Sequence, residues 1–118
     1  MLVDCPLADE KVFGNLKKSG ENVYERIVEF PLWEEYGEMI KSDIADVKNI
    51  GSREAGVITA GKFLQRFTDY PWIHLDIAGP AFLQSPEHYR GKGGSATGVR
   101  LLCDFLKNYA DELSSRTI

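Results

Sequence analysis

His74-Leu75-Asp76-Ile77-Ala78-Gly79 is the stretch on which the reading of this 118-residue chain turns. Ile73, Leu75 and Ile77 alternate on one side, with Trp72, His74 and Asp76 on the other, so 71–77 is predicted to be a strand. Aromatic and apolar content on both sides suits a strand inside a sheet that is covered on both faces. Gly79 ends it, where backbone can approach a ligand or another segment closely.

Downstream, Pro80 to Ser95 reads as loop, and 97–113 as the last helix. In that helix Val99, Leu102, Cys103, Leu106, Tyr109, Ala110 and Leu113 fall in near-ideal apolar register and are predicted to face a core. Upstream, 55–69 is predicted helical, with Val57, Ala60, Phe63, Leu64 and Phe67 inward and Thr59, Lys62, Gln65 and Arg66 towards water. Asp43 to Asn49 alternates well enough for a strand or extended segment, stopped by Gly51. Trp33, Tyr36 and Ile40 suggest a short helix after the break at Pro31. From Ala8 to Ile27, Val12, Leu16, Val23 and Ile27 recur at helical spacing, with Gly20 a point where the helix divides. Met1–Val3 offers a scrap of a third strand.

Four helices beside so few strands describe the tail of a larger α/β sheet, because a covered central strand needs neighbours on both edges. Size allows one domain, 1–118, with a real core, since a chain of this length buries roughly two thirds of its unfolded surface. Apolar content of 43% and charged content of 27% are ordinary for a globular domain. A net charge of −4 with scattered Lys and Arg gives no basic patch, which excludes nucleic acid as an expected partner. No apolar run reaches the ~18–20 residues of a membrane span, and the first residues lack the pattern of a signal peptide. Cys5 and Cys103 make neither a disulfide framework nor a ligand cluster, so a reduced, cytoplasmic setting is expected.

Candidate chemistry is sparse. His74 and Asp76 share a strand face and could offer a nitrogen and an oxygen to a metal, but no further His or Cys completes the set. The plainer expectation is a buried, hydrogen-bonded His74, with Asp76 fixing the next loop. Asp43 and Asp46, three apart on an extended segment, are expected on opposite faces, as a loop cap and an ion-pair partner. The loop Gly91-Lys92-Gly93-Gly94-Ser95-Ala96-Thr97-Gly98 could present amides to an anion or nucleotide. It lacks the phosphate-loop spacing, and Ser95 or Thr97 is expected to cap the helix. Cys103 is expected as a small core residue, Cys5 as incidental, and His88 as solvated. On these residues alone the chain carries no catalytic set.

Five blocks resemble the end of the catalytic domain of leucyl (cytosol) aminopeptidases, in the family's order. They are Phe30-Pro31-Leu32-Trp33-Glu34-Glu35-Tyr36, Lys41 to Gly51, Ala55-Gly56-Val57-Ile58-Thr59-Ala60 with Phe63, Leu64 and Phe67, Trp72 to Gly79, and Ala96-Thr97-Gly98-Val99-Arg100. The resemblance runs from about Asp9 to Phe105. It implies a three-layer α/β/α type of fold, this chain being a C-terminal portion of a mixed central sheet with flanking helices. It also implies a metal-dependent exopeptidase that removes N-terminal residues from peptides, assembled as a homo-oligomer, a hexamer in the family. Family members hold two divalent ions, zinc or manganese, that activate a bridging water and polarise the scissile carbonyl. The ligands come largely from an Asn-Thr-Asp-Ala-Glu-Gly-Arg signature and an upstream lysine motif, and neither occurs here. No metal is therefore expected on this chain alone. Only a substrate-pocket wall carries over: Ala78, and Ala81 by position, where Pro80-Ala81-Phe82 departs from common family sequences. Two function classes follow, an aminopeptidase portion supplying fold, pocket wall and assembly surface, or a non-catalytic relative acting as an interaction module.

Overall fold

The computed structural model describes residues 2–4, 10–51 and 53–115. They form two compact units, one of 10–27 with 77–115 and the other of 2–4 with 28–76.

In the second unit, β1 (Leu2–Asp4) is the middle strand of three. It runs parallel to β2 (Val28–Glu29) and antiparallel to β3 (His74–Asp76), in the order β2-β1-β3. Val3 stands opposite Glu29 on one side and Leu75 on the other, so the segment that offered only a scrap of strand supplies the centre of the sheet. The strand predicted over 71–77 shortens to three residues, each half-buried.

The extended segment predicted at 43–49 is instead a run of bends. Ser42 Oγ accepts from the Ile44 and Ala45 amides at 3.3 and 3.1 Å, and Ile40 O accepts from Lys48 N at 2.7 Å. These local bonds give the backbone an alternative to a sheet ladder. Ile44 is 99% exposed.

Helix α2 (Glu34–Glu38) is short, and α3 (Gly56–Gln65) ends earlier than predicted. Arg66, Phe67 and Thr68 donate back to Phe63, Leu64 and Gln65, a tightening of the last turn. The buried face of α3 is also rotated from the prediction. Ile58, Thr59, Gly61 and Lys62 are buried, while Leu64 and Phe67 are exposed. Two close approaches explain the rotation. A Cβ on Gly61 would lie 3.1 Å from Leu32 Cδ2, and one on Gly51 would lie 3.1 Å from Thr59 Oγ1.

In the first unit, α1 (Glu10–Asn22) packs against α4 (Val99–Ser115). Gly20 does not divide α1; it lies within it and is buried. The helix ends two residues later. Tyr24 adopts a left-handed φ of 58°, and Tyr24 N and Glu25 N donate to Glu21 O and Gly20 O. That is the paired closure of a helix C-terminus normally built on glycine. The predicted loop 80–95 contains a two-stranded ladder, β4 (Phe82–Leu83) against β5 (Gly93–Gly94). Its tip is closed by reciprocal backbone bonds between Glu87 and Arg90 and by their side-chain ion pair at 2.7 Å.

Leu101 alone on α4 is fully buried. The apolar register predicted to face a core is instead exposed, and Cys103, expected inside, is exposed with it. The class expected from the sequence, α/β with helices beside a mixed sheet, is the one observed.

Candidate functional site

Ala78 and Ala81 sit on the turn that follows β3. Ala81 N donates to Ile77 O at 3.0 Å, which closes the turn, and Ala78 is exposed while Ala81 is half-buried. The turn is tied to the Gly-rich loop at one point. Pro80 O accepts from Ser95 Oγ at 2.5 Å and from Thr97 Oγ1 at 3.0 Å, and Ala81 O accepts from Ser95 N at 2.9 Å. The two hydroxyl oxygens are themselves 2.7 Å apart. Proline supplies a carbonyl but no donor, so both hydroxyls converge on one acceptor whose φ is already restricted. The turn that carries Ala78 and Ala81 is thus pinned through the Pro80 and Ala81 carbonyls.

The amides at the helix end of the 91–98 loop are already engaged within the chain. Gly98 N and Leu101 N, at the start of α4, both donate to Glu25 Oε2, at 3.2 and 3.0 Å. Arg100 Nε lies 3.4 Å from the other oxygen. The helix cap therefore comes from Glu25 and not from Ser95 or Thr97, which spend their hydroxyls on Pro80. Sequence reading missed Glu25 because its partners lie more than seventy residues away and no local spacing signals them.

His74 is half-buried on β3, its ring and that of Trp72 meeting in a T-shaped pair with centroids 6.1 Å apart. Its Nε2 is buried and meets no hydrogen-bond partner among the described residues, so the expected bond is not made at that nitrogen. Asp76 shares its strand face. Among the described residues no group of three or more His, Cys, Asp or Glu is placed to hold a metal ion. Cys5 lies outside the described residues. His88 is exposed, as expected, at the tip of the β4–β5 connection with a φ of 53°.

Asp43 and Asp46 line one cavity of about 570 Å³, together with Glu34, Glu38, Lys62 and Arg66. They were expected on opposite faces; the bends bring both to the same one. Lys62 Nζ, on a side chain only 5% exposed, donates to Glu34 Oε1 at 2.7 Å. That hydrogen bond and the ammonium charge hold the Glu34 carboxyl below its ordinary value. This pairing is why a lysine predicted to face water can be buried. It makes a structural ion pair and no set of reacting groups.

Among the described residues no helix is long and apolar enough to cross a membrane. The model of the cytosol aminopeptidase family, catalytic domain, matches residues 6–103. A probable cytosol aminopeptidase of a Geobacter species is 49% identical over 100 residues, covering 84% of this chain and 20% of that protein. The Geobacter sulfurreducens protein of the same name is 52% identical over 93 residues, covering 78% and 19%. Among solved structures, the bottromycin maturation enzyme BotP superposes with a TM-score of 0.83 at 29% identity, over 93% of this chain and 25% of its own. The cytosol aminopeptidase of Coxiella burnetii gives 0.79 at 28% identity, over 91% and 23%. The chain thus spans about a fifth of the length of the curated relatives it matches. With its family model covering 6–103, the chain belongs to the cytosol aminopeptidase family, within the catalytic domain.

Proposed function

We propose that this chain is the C-terminal portion of a metal-dependent aminopeptidase catalytic domain, contributing fold, substrate-pocket wall and assembly surface to the removal of N-terminal residues from peptides. The observation that carries the reading is the family match over 6–103, joined to the superposition on BotP, which has also been solved in complex with Mn. Ala78 and Ala81 line the pocket for the substrate's N-terminal side chain. Their turn supports this, since small side chains on a backbone pinned through Pro80 leave space while keeping the wall in place.

Two divalent ions, zinc or manganese, supply the hydrolytic chemistry in this reading. The described residues do not fit such a pair: none of them forms a group of three or more His, Cys, Asp or Glu placed to hold a metal, and Asp43 and Asp46 sit beside the Lys62–Glu34 ion pair. The ligands come from the family signatures that this sequence does not contain. The setting is cytoplasmic, and the assembled form is a homo-oligomer.

The test is a chimera in which residues 6–103 replace the matching segment of the Geobacter sulfurreducens relative. Hydrolysis of leucine anilide with added manganese is expected to persist. Ala78→Leu in that chimera should raise KM for leucine anilide more than for alanine anilide. A folded chimera without turnover, or equal effects on both substrates, contradicts the reading.

A further inference from the structure

Ser95 and Thr97, both half-buried, aim their hydroxyls at one acceptor and at each other. Ser95 Oγ lies 2.5 Å and Thr97 Oγ1 3.0 Å from Pro80 O, with 2.7 Å between the hydroxyl oxygens. Each hydroxyl carries one proton, so two protons serve three short oxygen pairs, and one pair is always without. Either hydroxyl can therefore hold the carbonyl while the other donates to its neighbour. Neither is needed to cap α4, because Glu25 does that. Ala96, between them, holds a left-handed φ of 55°, which a residue with a Cβ adopts at a cost.

The acceptor is well placed to fix the turn. Pro80 C=O and Ala81 N–H belong to one planar unit, and Ala81 N donates to Ile77 O at 3.0 Å, so that plane is held at both edges. The next plane is held too, as Ala81 O accepts from Ser95 N at 2.9 Å. With both flanking planes fixed, the direction of the Ala81 methyl is fixed with them.

We propose that Ser95 and Thr97 are positioning residues for the substrate's N-terminal side chain. As interchangeable donors to Pro80 O they set, together and not singly, how sharply the wall of Ala78 and Ala81 discriminates between side chains. Their role rests on the reading that this wall lines the pocket. Removing one hydroxyl leaves a donor on the carbonyl; removing both frees the Pro80–Ala81 plane on that side and lets the wall yield. Groups that act as such a unit show losses that do not add.

The Geobacter sulfurreducens chimera, assayed on leucine and alanine anilides, carries the test. Ser95→Ala and Thr97→Val should each change the ratio of kcat/KM for the two substrates by less than about twofold. The double variant should lower that preference for leucine about fivefold or more, through KM, with kcat kept. Thr97→Ser in the Ser95→Ala background retains a donor and should behave as Ser95→Ala alone. A loss of folded protein scales both substrates equally and leaves KM and the ratio unmoved, so misfolding does not mimic the result. In the chain itself, hydrogen exchange at the Ala81 amide should quicken in the double variant far more than in either single one. A parent chimera without turnover fails the pocket reading, and the positioning role falls with it. An active chimera whose double variant keeps the parental ratio, or whose single variants lose as much as the double, overturns the positioning role alone. Ala81 exchange that is equal in all variants overturns it as well.

Discussion

Glu25 accepts the Leu101 amide at 3.0 Å and caps α4 from the far end of another helix. Its own amide closes α1 on Gly20 O. One residue therefore terminates one helix and caps another, and the carboxylate lies where the partial positive charge of α4 favours it.

Replacing Glu25 by Ala leaves Gly98 N and Leu101 N without that acceptor, and should destabilise the chain by about 1–2 kcal/mol. Glu25→Gln keeps an oxygen at the site and should cost less. Urea unfolding followed at 222 nm checks both, and equal losses for the two variants would contradict a capping role.

Gly20→Ala should also destabilise, although alanine is the better helix former. Its Cβ would lie 2.7 Å from Glu25 O and 3.3 Å from Leu101 Cδ1. The first contact is with backbone, which cannot swing away, so overpacking of about 1–3 kcal/mol outweighs the gain in propensity. Gly14→Ala, which meets nothing within 4 Å, is the control and should be neutral or stabilising.

The Glu34–Lys62 pair predicts an acid-side pH dependence. Because the folded-state value of Glu34 is depressed below 4.5, its contribution is present above that pH. It fades as pH falls through the lower folded value. Glu34→Gln should flatten the stability profile below about pH 4.5, and Lys62→Met should do the same. Profiles that run parallel to the parent there would show the pair to be inert.

Purified chain should release no product from leucine anilide with added zinc or manganese. Both ions must be held for two-metal catalysis, and the described residues hold neither. Turnover abolished by a chelator would refute this.

Much of the architecture was legible in the sequence because periodicity is a local property. Leu16 and Ile27 marked a buried face, both are buried, α1, α3 and β3 lie within the predicted segments, and α4 runs two residues past its own. The family blocks were legible too, since each is a contiguous run. The candidate pocket wall at Ala78 and Ala81 came from that resemblance, but its attachment through Pro80, Ser95 and Thr97 did not, as hydroxyls near a helix start read equally well as caps.

What the sequence by itself determined was the class, the order of the helices around β3, and the family. What only the tertiary structure decided was which face of each helix meets what. Lys62 is buried because Glu34 is in reach, and Gly20 has no room for a side chain because Glu25 O and Leu101 lie against it. The α4 register stays exposed, as α1 takes the Leu101 face instead. Such outcomes depend on groups brought together from distant positions, and a local pattern can state that a face is apolar without stating what will cover it.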